Sequence, residues 1–198
     1  ERCYEACEFS LANLIILKSK GADWLSAIPV FPNRAFRHNT LFVARDSDIR
    51  KPEDLRGRRL AVEDYSMTAA VWIRGLLNDE YGVSWRDISW YCDNRQGGFP
   101  TPAAADVHLV KDDPETLLEQ GRVDAMMSFG PRDEQRPTHE RRFRRLFEPA
   151  QQVEEDYFKR TGIYPINHCV TIRSDILARL PALPKTLFDV YAESKRAA

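Results

Sequence analysis

The positions of apolar residues along the chain predict short strands that alternate with amphipathic helices. In the middle of the chain the pattern predicts helices over 65–81 and 114–120, and strands over 39–45, 60–62, 88–92, 107–110 and 123–128. Alternation of this kind is typical of a largely parallel sheet covered by helices. The sequence therefore predicts a protein of the α/β class.

The two ends of the chain predict further elements of the same kind. They are a helix over 9–18, a strand over 25–31, a polar helix that ends near Arg160, a strand over 168–173 and a last helix over 181–195. Pro29 lies in the first of these two strands and points to a sheet edge or an irregular pairing. The segment 93–106, rich in Gly, Pro and Ala, is expected to be a long and mobile loop.

Length and composition limit the class of protein. The chain has 198 residues, 43% hydrophobic and 30% charged, enough for one large or two small domains. Its apolar runs are all well short of the roughly 20 residues that span a bilayer, so no membrane association is expected. Four cysteines, Cys3 among them, lack CxxC spacing, and residues 1–10 lack the features of a signal peptide. These features predict a cytoplasmic protein.

A basic run in the second half of the chain is the strongest local charge feature. The formal net charge of −1 offers no general attraction for nucleic acid. Acidic residues are interspersed in the run and no aromatic stacking motif accompanies it, so we interpret it as a solvated helix face. No nucleic-acid partner is expected. The arginines of the run are Arg132, Arg136, Arg141, Arg142, Arg144 and Arg145.

Two segments carry a resemblance to a known fold. The segment 51–62 (KPEDLRGRRLAV) resembles the passage that opens the second lobe of type II periplasmic binding proteins, and 118–125 (LEQGRVDA) is similar to a later passage of the same lobe. The resemblance implies a two-lobed fold in which each lobe is a mostly parallel sheet flanked by helices. It does not by itself imply an enzyme.

Three further segments narrow the resemblance to one family. The segments 28–38 (IPVFPNRAFRH), 65–72 (YSMTAAVW) and 161–168 (TGIYPINH) resemble the corresponding stretches of 4,5-dihydroxyphthalate decarboxylases. This resemblance implies a carboxy-lyase that binds an aromatic dicarboxylic acid in a cleft between the lobes. A role in the degradation of phthalate and related aromatic compounds would follow.

The same resemblance divides the chain into lobes. Residues 1–43 are expected to form the first part of lobe one, residues 44–146 a continuous lobe two, and residues 147–198 the return segment of lobe one. The family's first strand and part of its C-terminal helical lobe have no counterpart in this sequence. Lobe one is therefore expected to be incomplete.

Decarboxylation of an aromatic ring needs a proton donor and anion-binding groups. Arg34, Arg37 and His38 lie within five positions, and they offer two guanidiniums suited to carboxylates and an imidazole that titrates near neutrality. A solvated turn with surface arginines is the alternative. His168, at the start of a strand expected to connect the lobes, is a second candidate proton donor, and a core histidine bonded to backbone is its alternative.

Hydroxyl groups at helix starts complete the expected site. Ser10, Ser66 and Thr68 lie where helices begin, so they could bind an anionic oxygen, although plain N-caps would explain them equally well. The family resemblance adds Ser128 and Tyr164 as substrate-binding residues. A serine hydrolase is less well supported still, because no GxSxG motif is present.

No cofactor is expected from the sequence. An ionised hydroxyl para to the carboxylate can push electrons to the ring carbon that is protonated, so an organic cofactor is unnecessary in principle. Convergence of His38, His168 and Cys169 would allow a divalent metal, but no HxxxH, HxxE or paired-cysteine spacing supports one.

Two functions of different classes remain open. The first is decarboxylation of a small-molecule aromatic carboxylate. The second is non-catalytic capture of a small carboxylate or aromatic acid by a solute-binding protein, which would need the arginines but no proton donor. A homo-oligomer is left open.

Overall fold

The chain folds as two compact units in the computed structural model. The structure describes residues 4–93, 99 and 101–197. Unit 1 consists of Glu1–Ala35 and Pro165–Ala198, and unit 2 is the continuous segment Phe36–Tyr164. The lobe boundaries drawn from the sequence, 43/44 and 146/147, both lie inside unit 2.

Strands and helices are interspersed along the described part of the chain. The strands are β1 (Ala6–Ser10), β2 (Leu25–Ile28), β3 (Leu41–Ala44), β4 (Arg59–Ala61), β5 (Ser89–Cys92), β6 (Val107–Leu109), β7 (Ala125–Met127), β8 (Phe143–Arg145) and β9 (His168–Arg173). The α-helices are α1 (Leu11–Ser19), α2 (Thr68–Tyr81), α3 (Pro114–Glu119), α4 (Ala150–Thr161), α5 (Ser174–Arg179) and α6 (Leu183–Ala197).

Unit 1 contains a three-stranded sheet in the order β1-β9-β2. Both pairings are antiparallel, so the mostly parallel arrangement expected of both lobes is not found among the described strands of this unit. Strand β9 is central, and its Val170 and Ile172 pack with Ile28 and Ile176. The helix expected from residue 9 begins at Leu11, because the preceding residues pair with β9.

Unit 2 is built on a six-stranded sheet in the order β6-β5-β4-β7-β3-β8. Strand β4 pairs in parallel with β5 and β7, and β5 pairs in parallel with β6. Strand β3 runs antiparallel to β7 and β8, so the sheet is mixed but mostly parallel. The predicted α/β class is confirmed. The carboxyl ends of β4, β5, β6 and β7 meet at one edge of the sheet.

The larger hydrophobic cluster of unit 2 lies between its sheet and α2. Trp90 of β5 and Leu60 of β4 are fully buried together with Ile73 and Leu77, which lie four positions apart on α2. This spacing places both helix residues on one face, which packs on the sheet. Helix α2 ends where Gly82 adopts a left-handed conformation with φ 62°, which glycine adopts without steric cost.

The basic run does not form a helix, so its interpretation as a solvated helix face is wrong. Residues 132–135 and 138–140 are short 3-10 turns, and the run ends in β8. Two prolines, Pro131 and Pro137, immediately precede these turns. The buried Asp133 carboxylate accepts the backbone N–H groups of Arg142 and Phe143, and thereby fixes the return of the segment to the sheet.

Two features expected from the sequence fall outside the described residues. Cys3 is one of them, and the other is residues 94–98 and 100 of the glycine- and proline-rich segment. Among the described helices, none is both long enough and apolar enough to cross a membrane.

Candidate functional site

Unit 1 brings Ser10 and His168 together across two paired strands. Ser10 is the last residue of β1, His168 is the first of β9, and the two are direct partners in the antiparallel register. Residues that lie directly opposite in such a pair project to the same face of the sheet. The structure therefore places a candidate hydroxyl beside a candidate imidazole.

A carboxylate that the sequence reasoning missed completes this pair. Glu8 lies two positions before Ser10 on β1, and its Oε1 atom lies 2.6 Å from Nδ1 of His168. The side chain of His168 is 37% exposed, so the imidazole is held on one side and accessible on the other. A histidine held by a carboxylate in this way is a common arrangement for proton transfer. Alternate residues of a strand project to the same face, so the spacing of Glu8 and Ser10 would have grouped them if β1 had been predicted.

The loop that carries Arg34 is held against the segment leading into β9. The backbone oxygen of Asn33 accepts the N–H groups of Asn167 and His168, at 2.9 and 3.2 Å. The side chain of Asn167, 1% exposed, donates in turn to the backbone oxygens of Ala35 and Pro165. Arg34 itself forms an isolated β-bridge with Ile166 and is exposed. Unit 1 thus gathers three predicted site residues, Ser10, Arg34 and His168.

The hydroxyl groups at the helix starts do not act as N-caps. Ser10 precedes α1 without a side-chain cap bond, and the residue that precedes α2 is Met67. The Ser66 hydroxyl instead donates to Oδ1 of the buried Asp64 at 2.6 Å, whereas Thr68 is the buried first residue of α2. The plain N-cap interpretation is therefore wrong for these residues.

His38 lies in an aromatic cage within unit 2. It is 2% exposed, and its ring lies 5.2 Å from those of both Phe147 and Tyr157. Neither ring nitrogen has a hydrogen-bond partner among the described residues. Burial, aided by the positive charge of Arg160, lowers the pKa of His38 to about 4. His38 is therefore neutral at pH 7, which argues against it as the proton donor and favours His168.

Arg37 is buried beside His38, although Arg34 is exposed. Its guanidinium lies 5.0 Å from the centre of the Phe129 ring, a cation–π contact. Burial lowers the pKa of Arg37, while the negative charge of Glu154 opposes that shift. The expectation of a solvated turn thus holds for Arg34 and fails for Arg37 and His38.

A pocket of about 450 Å³ opens at the carboxyl edge of the unit 2 sheet. Ser128 follows β7 directly and Asp93 follows β5, as expected for a site at the ends of parallel strands. The described lining is strongly acidic, and its one arginine, Arg132, lies 3.2 Å from Asp113 and 3.5 Å from Glu115. This charge balance does not favour a dianion. Other acidic lining residues are Glu63 and Asp112.

The remaining expectations concern Tyr164 and a metal. The Tyr164 ring is 39% exposed and lies 5.0 Å from that of Phe36, within an aromatic group that also includes Phe158. Within the described ranges, no three His, Cys, Asp or Glu residues are arranged to hold a metal ion.

Two curated relatives resemble this chain in sequence. The 4,5-dihydroxyphthalate decarboxylase of Comamonas testosteroni is 33% identical, over 98% of this chain and 62% of its own length. That of Pseudomonas putida is 34% identical, over 65% of this chain and 53% of its own length. The chain therefore spans less than two thirds of the curated relatives it matches. No family model matches the chain.

Solved structures with a similar fold are periplasmic binding proteins. The aliphatic sulphonate binding protein SsuA from Escherichia coli has a TM-score of 0.58 and 19% identity, over 96% of this chain and 54% of its own. The alkanesulfonate-binding SsuA from Xanthomonas axonopodis pv. citri, bound to MOPS, has a TM-score of 0.57 and 15% identity, over the same shares. These similarities confirm the predicted binding-protein fold.

Proposed function

We propose, on the premise that this chain is a homologue of the 4,5-dihydroxyphthalate decarboxylases, that its protein decarboxylates an aromatic dicarboxylic acid of the 4,5-dihydroxyphthalate type. The observation that carries the proposal is the 33% identity to such an enzyme along 98% of the chain. The residues that could perform the chemistry are grouped most closely in unit 1. A cleft between lobes, expected from the sequence, stays a prediction.

The reaction breaks the bond between a ring carbon and a carboxylate. The bonding electrons stay on the ring carbon, carbon dioxide leaves, and a proton must arrive at the same carbon. The ionised hydroxyl para to that carboxylate supplies electron density for protonation before the bond breaks. The protein then needs to orient the carboxylates and to deliver one proton, so we propose that no organic cofactor takes part.

The residues of unit 1 suit these two tasks. The imidazolium of His168, oriented by Glu8, delivers the proton, and the Ser10 hydroxyl on the paired strand orients an oxygen of the substrate. The forked guanidinium of Arg34 binds a carboxylate. His38, the other candidate donor from the sequence, is buried with a pKa lowered to about 4 and is the less suitable of the two.

Residues of unit 2 are the further substrate contacts that the family resemblance implies. They are Arg37, Ser66, Thr68, Ser128 and Tyr164. A cytoplasmic location also forms part of the proposal, because the cysteines of the sequence lack CxxC spacing and Cys7 and Cys169 are free thiols, as expected in a reducing compartment.

Carbon dioxide release from 4,5-dihydroxyphthalate tests this function. The full-length protein is incubated with the compound, with and without added divalent metal, and carbon dioxide and the ring product are measured. We expect stoichiometric release of both. Absence of turnover under every condition would overturn the substrate assignment.

Solute capture is the rival function, because the proteins with a similar fold are named as sulphonate-binding proteins. Replacement of His168 by Gln distinguishes the two. An enzyme is expected to keep its affinity and lose turnover by about a hundredfold, the usual contribution of a general acid. Tight binding by the unmodified protein without any turnover would favour capture.

A further inference from the structure

Unit 2 contains a small polar pocket that the proposed function does not use. Its volume is about 110 Å³, and it lies beside the ends of β3 and β8. Four arginines, Arg45, Arg141, Arg144 and Arg145, contribute to its lining, and the exposed Thr138 borders it, so the pocket opens to solvent. None of its lining residues belongs to the predicted substrate site.

Three of these arginines carry charges that no carboxylate neutralises directly. Arg45, Arg141 and Arg144 form no ion pair within the described residues, and their side chains donate hydrogen bonds to neutral backbone oxygens. The acceptors are Thr138 for Arg45 at 2.7 Å, Glu134 and Arg136 for Arg141 at 2.9 and 3.2 Å, and Ser47 and Ile49 for Arg144.

Arg144 adds a buried donor without an acceptor. Its Nε atom is buried and lacks a hydrogen-bond partner in the described part of the chain. Burial lowers the pKa of Arg144, the nearby Arg50 lowers it further, and Glu148 opposes both effects. Buried donors in folded proteins almost always find a partner, so the unpaired Nε leaves the Arg144 guanidinium only partly satisfied by the described residues.

The carboxylates at the pocket do not supply that acceptor. Glu134 is paired with Arg145. Asp133 accepts backbone N–H groups and lies 3.4 Å from Nε of Arg136. Among the described lining carboxylates, Glu148 alone forms no ion pair, and its negative charge acts on Arg144, so three carboxylates stand against four arginines. The pocket therefore has an excess of positive charge.

We infer that this pocket binds a tetrahedral oxyanion, namely a phosphate group, either free or as part of a small phosphate monoester. One water molecule needs roughly 10–15 Å³ of cavity volume, so a pocket of about 110 Å³ has room for a phosphate ion. Three guanidiniums around one pocket match the several oxygens of a phosphate better than the two of a carboxylate. The bound anion accepts from the lining guanidiniums and offsets their clustered charge.

Calorimetric titration of the full-length protein with inorganic phosphate tests this inference. The ionic strength is kept constant with potassium chloride, and a second titration uses glycerol phosphate. We expect saturable binding of about one phosphate per chain, and the tighter of the two ligands identifies the source. Heat that does not saturate, or an equal response to chloride, would refute the site.

Matched variants locate the binding. Arg45→Gln and Arg141→Gln remove lining charges, and each is expected to weaken phosphate binding at least about tenfold. Arg45 is exposed and donates to one carbonyl, so its replacement leaves the fold intact even if the Arg141 variant is unstable. Arg142→Gln is the control, because Arg142 pairs with Glu119 and does not line the pocket. If Arg142→Gln and Arg45→Gln lose phosphate affinity equally, the anion responds to the overall positive charge of the surface, and the proposed site is refuted.

Discussion

Ser10 and His168 are direct partners in the antiparallel pairing of β1 with β9, and Glu8 holds Nδ1 of the same imidazole at 2.6 Å. The carboxylate of Glu8 and the hydroxyl of Ser10 lie two positions apart on β1, and the imidazole of His168 lies at the start of β9. The carboxylate orients the ring, so Glu8 is a positioning residue for the proposed proton donor.

Replacement of Glu8 by Gln tests that role. We expect kcat for decarboxylation to fall by about ten- to a hundredfold, with little change in KM, because orientation of the acid is lost while substrate contacts remain. The pH dependence of kcat is also expected to move, which a purely structural role would not cause. Steady-state kinetics across pH 5–9 measures both effects.

Glu5→Gln is the control for this experiment. Glu5 is an exposed carboxylate just before β1, so its replacement changes the net charge equally without touching His168. If both variants lose activity to the same extent, local charge rather than the contact with His168 is responsible.

His38 makes stability depend on pH. Its pKa falls from 6.5 in the unfolded chain to about 4 in the fold, because burial disfavours the charged ring. Between these values the unfolded state binds more protons, so stability is expected to fall as the pH drops from 6.5 to 4, by at most about 3 kcal/mol. Urea unfolding at pH 7.5 and 4.5 measures the change.

Removal of the imidazole isolates this effect. His38→Phe is expected to lose less stability than the unmodified protein between pH 7.5 and 4.5. His139→Asn is the control, because the side chain of His139 is 81% exposed and its replacement leaves the pH dependence unchanged. An unaltered pH dependence in the His38 variant would contradict the burial of an uncharged ring.

The return of the basic run to β8 depends on one buried carboxylate. Asp133 is 2% exposed and accepts the N–H groups of Arg142 and Phe143. Asp133→Asn places an amide where N–H donors converge, so we expect a loss of about 2–3 kcal/mol in the free energy of unfolding. Glu140→Gln, at an exposed position of the same segment, is expected to change it by less than about 0.5 kcal/mol. Equal effects in chemical denaturation would contradict the role of Asp133.

Elements with a strong local pattern could be predicted from the sequence. The strand around Trp90 is predicted by its short apolar run. The end of helix α2 is predicted by Gly82, which follows the last helical residue. Both signals come from residues that are neighbours in the sequence. Strand β1 was missed, since it depends on pairing with β9, more than 150 positions away, and much of it is exposed. Such pairing leaves no local signal.

The environment of the candidate residues was equally nonlocal. Arg37 and His38 read as a polar turn, yet His38 is enclosed by Phe147 and Tyr157, more than 100 positions further along. Glu8 could not be linked to His168 for the same reason. Residue types suggested the chemistry, while burial and partners required the fold.

Arg34 and Arg37 are expected to respond differently to replacement by Lys. Arg34 is exposed, so Arg34→Lys keeps the charge and loses the forked donor geometry proposed to bind a carboxylate. We expect KM to rise about tenfold with little change in thermal stability. Arg37 is buried over the Phe129 ring, so Arg37→Lys is expected to lower the free energy of unfolding by about 1–2 kcal/mol. Kinetics and denaturant unfolding of both variants separate the roles, and an unchanged KM in Arg34→Lys would exclude this guanidinium as the carboxylate clamp.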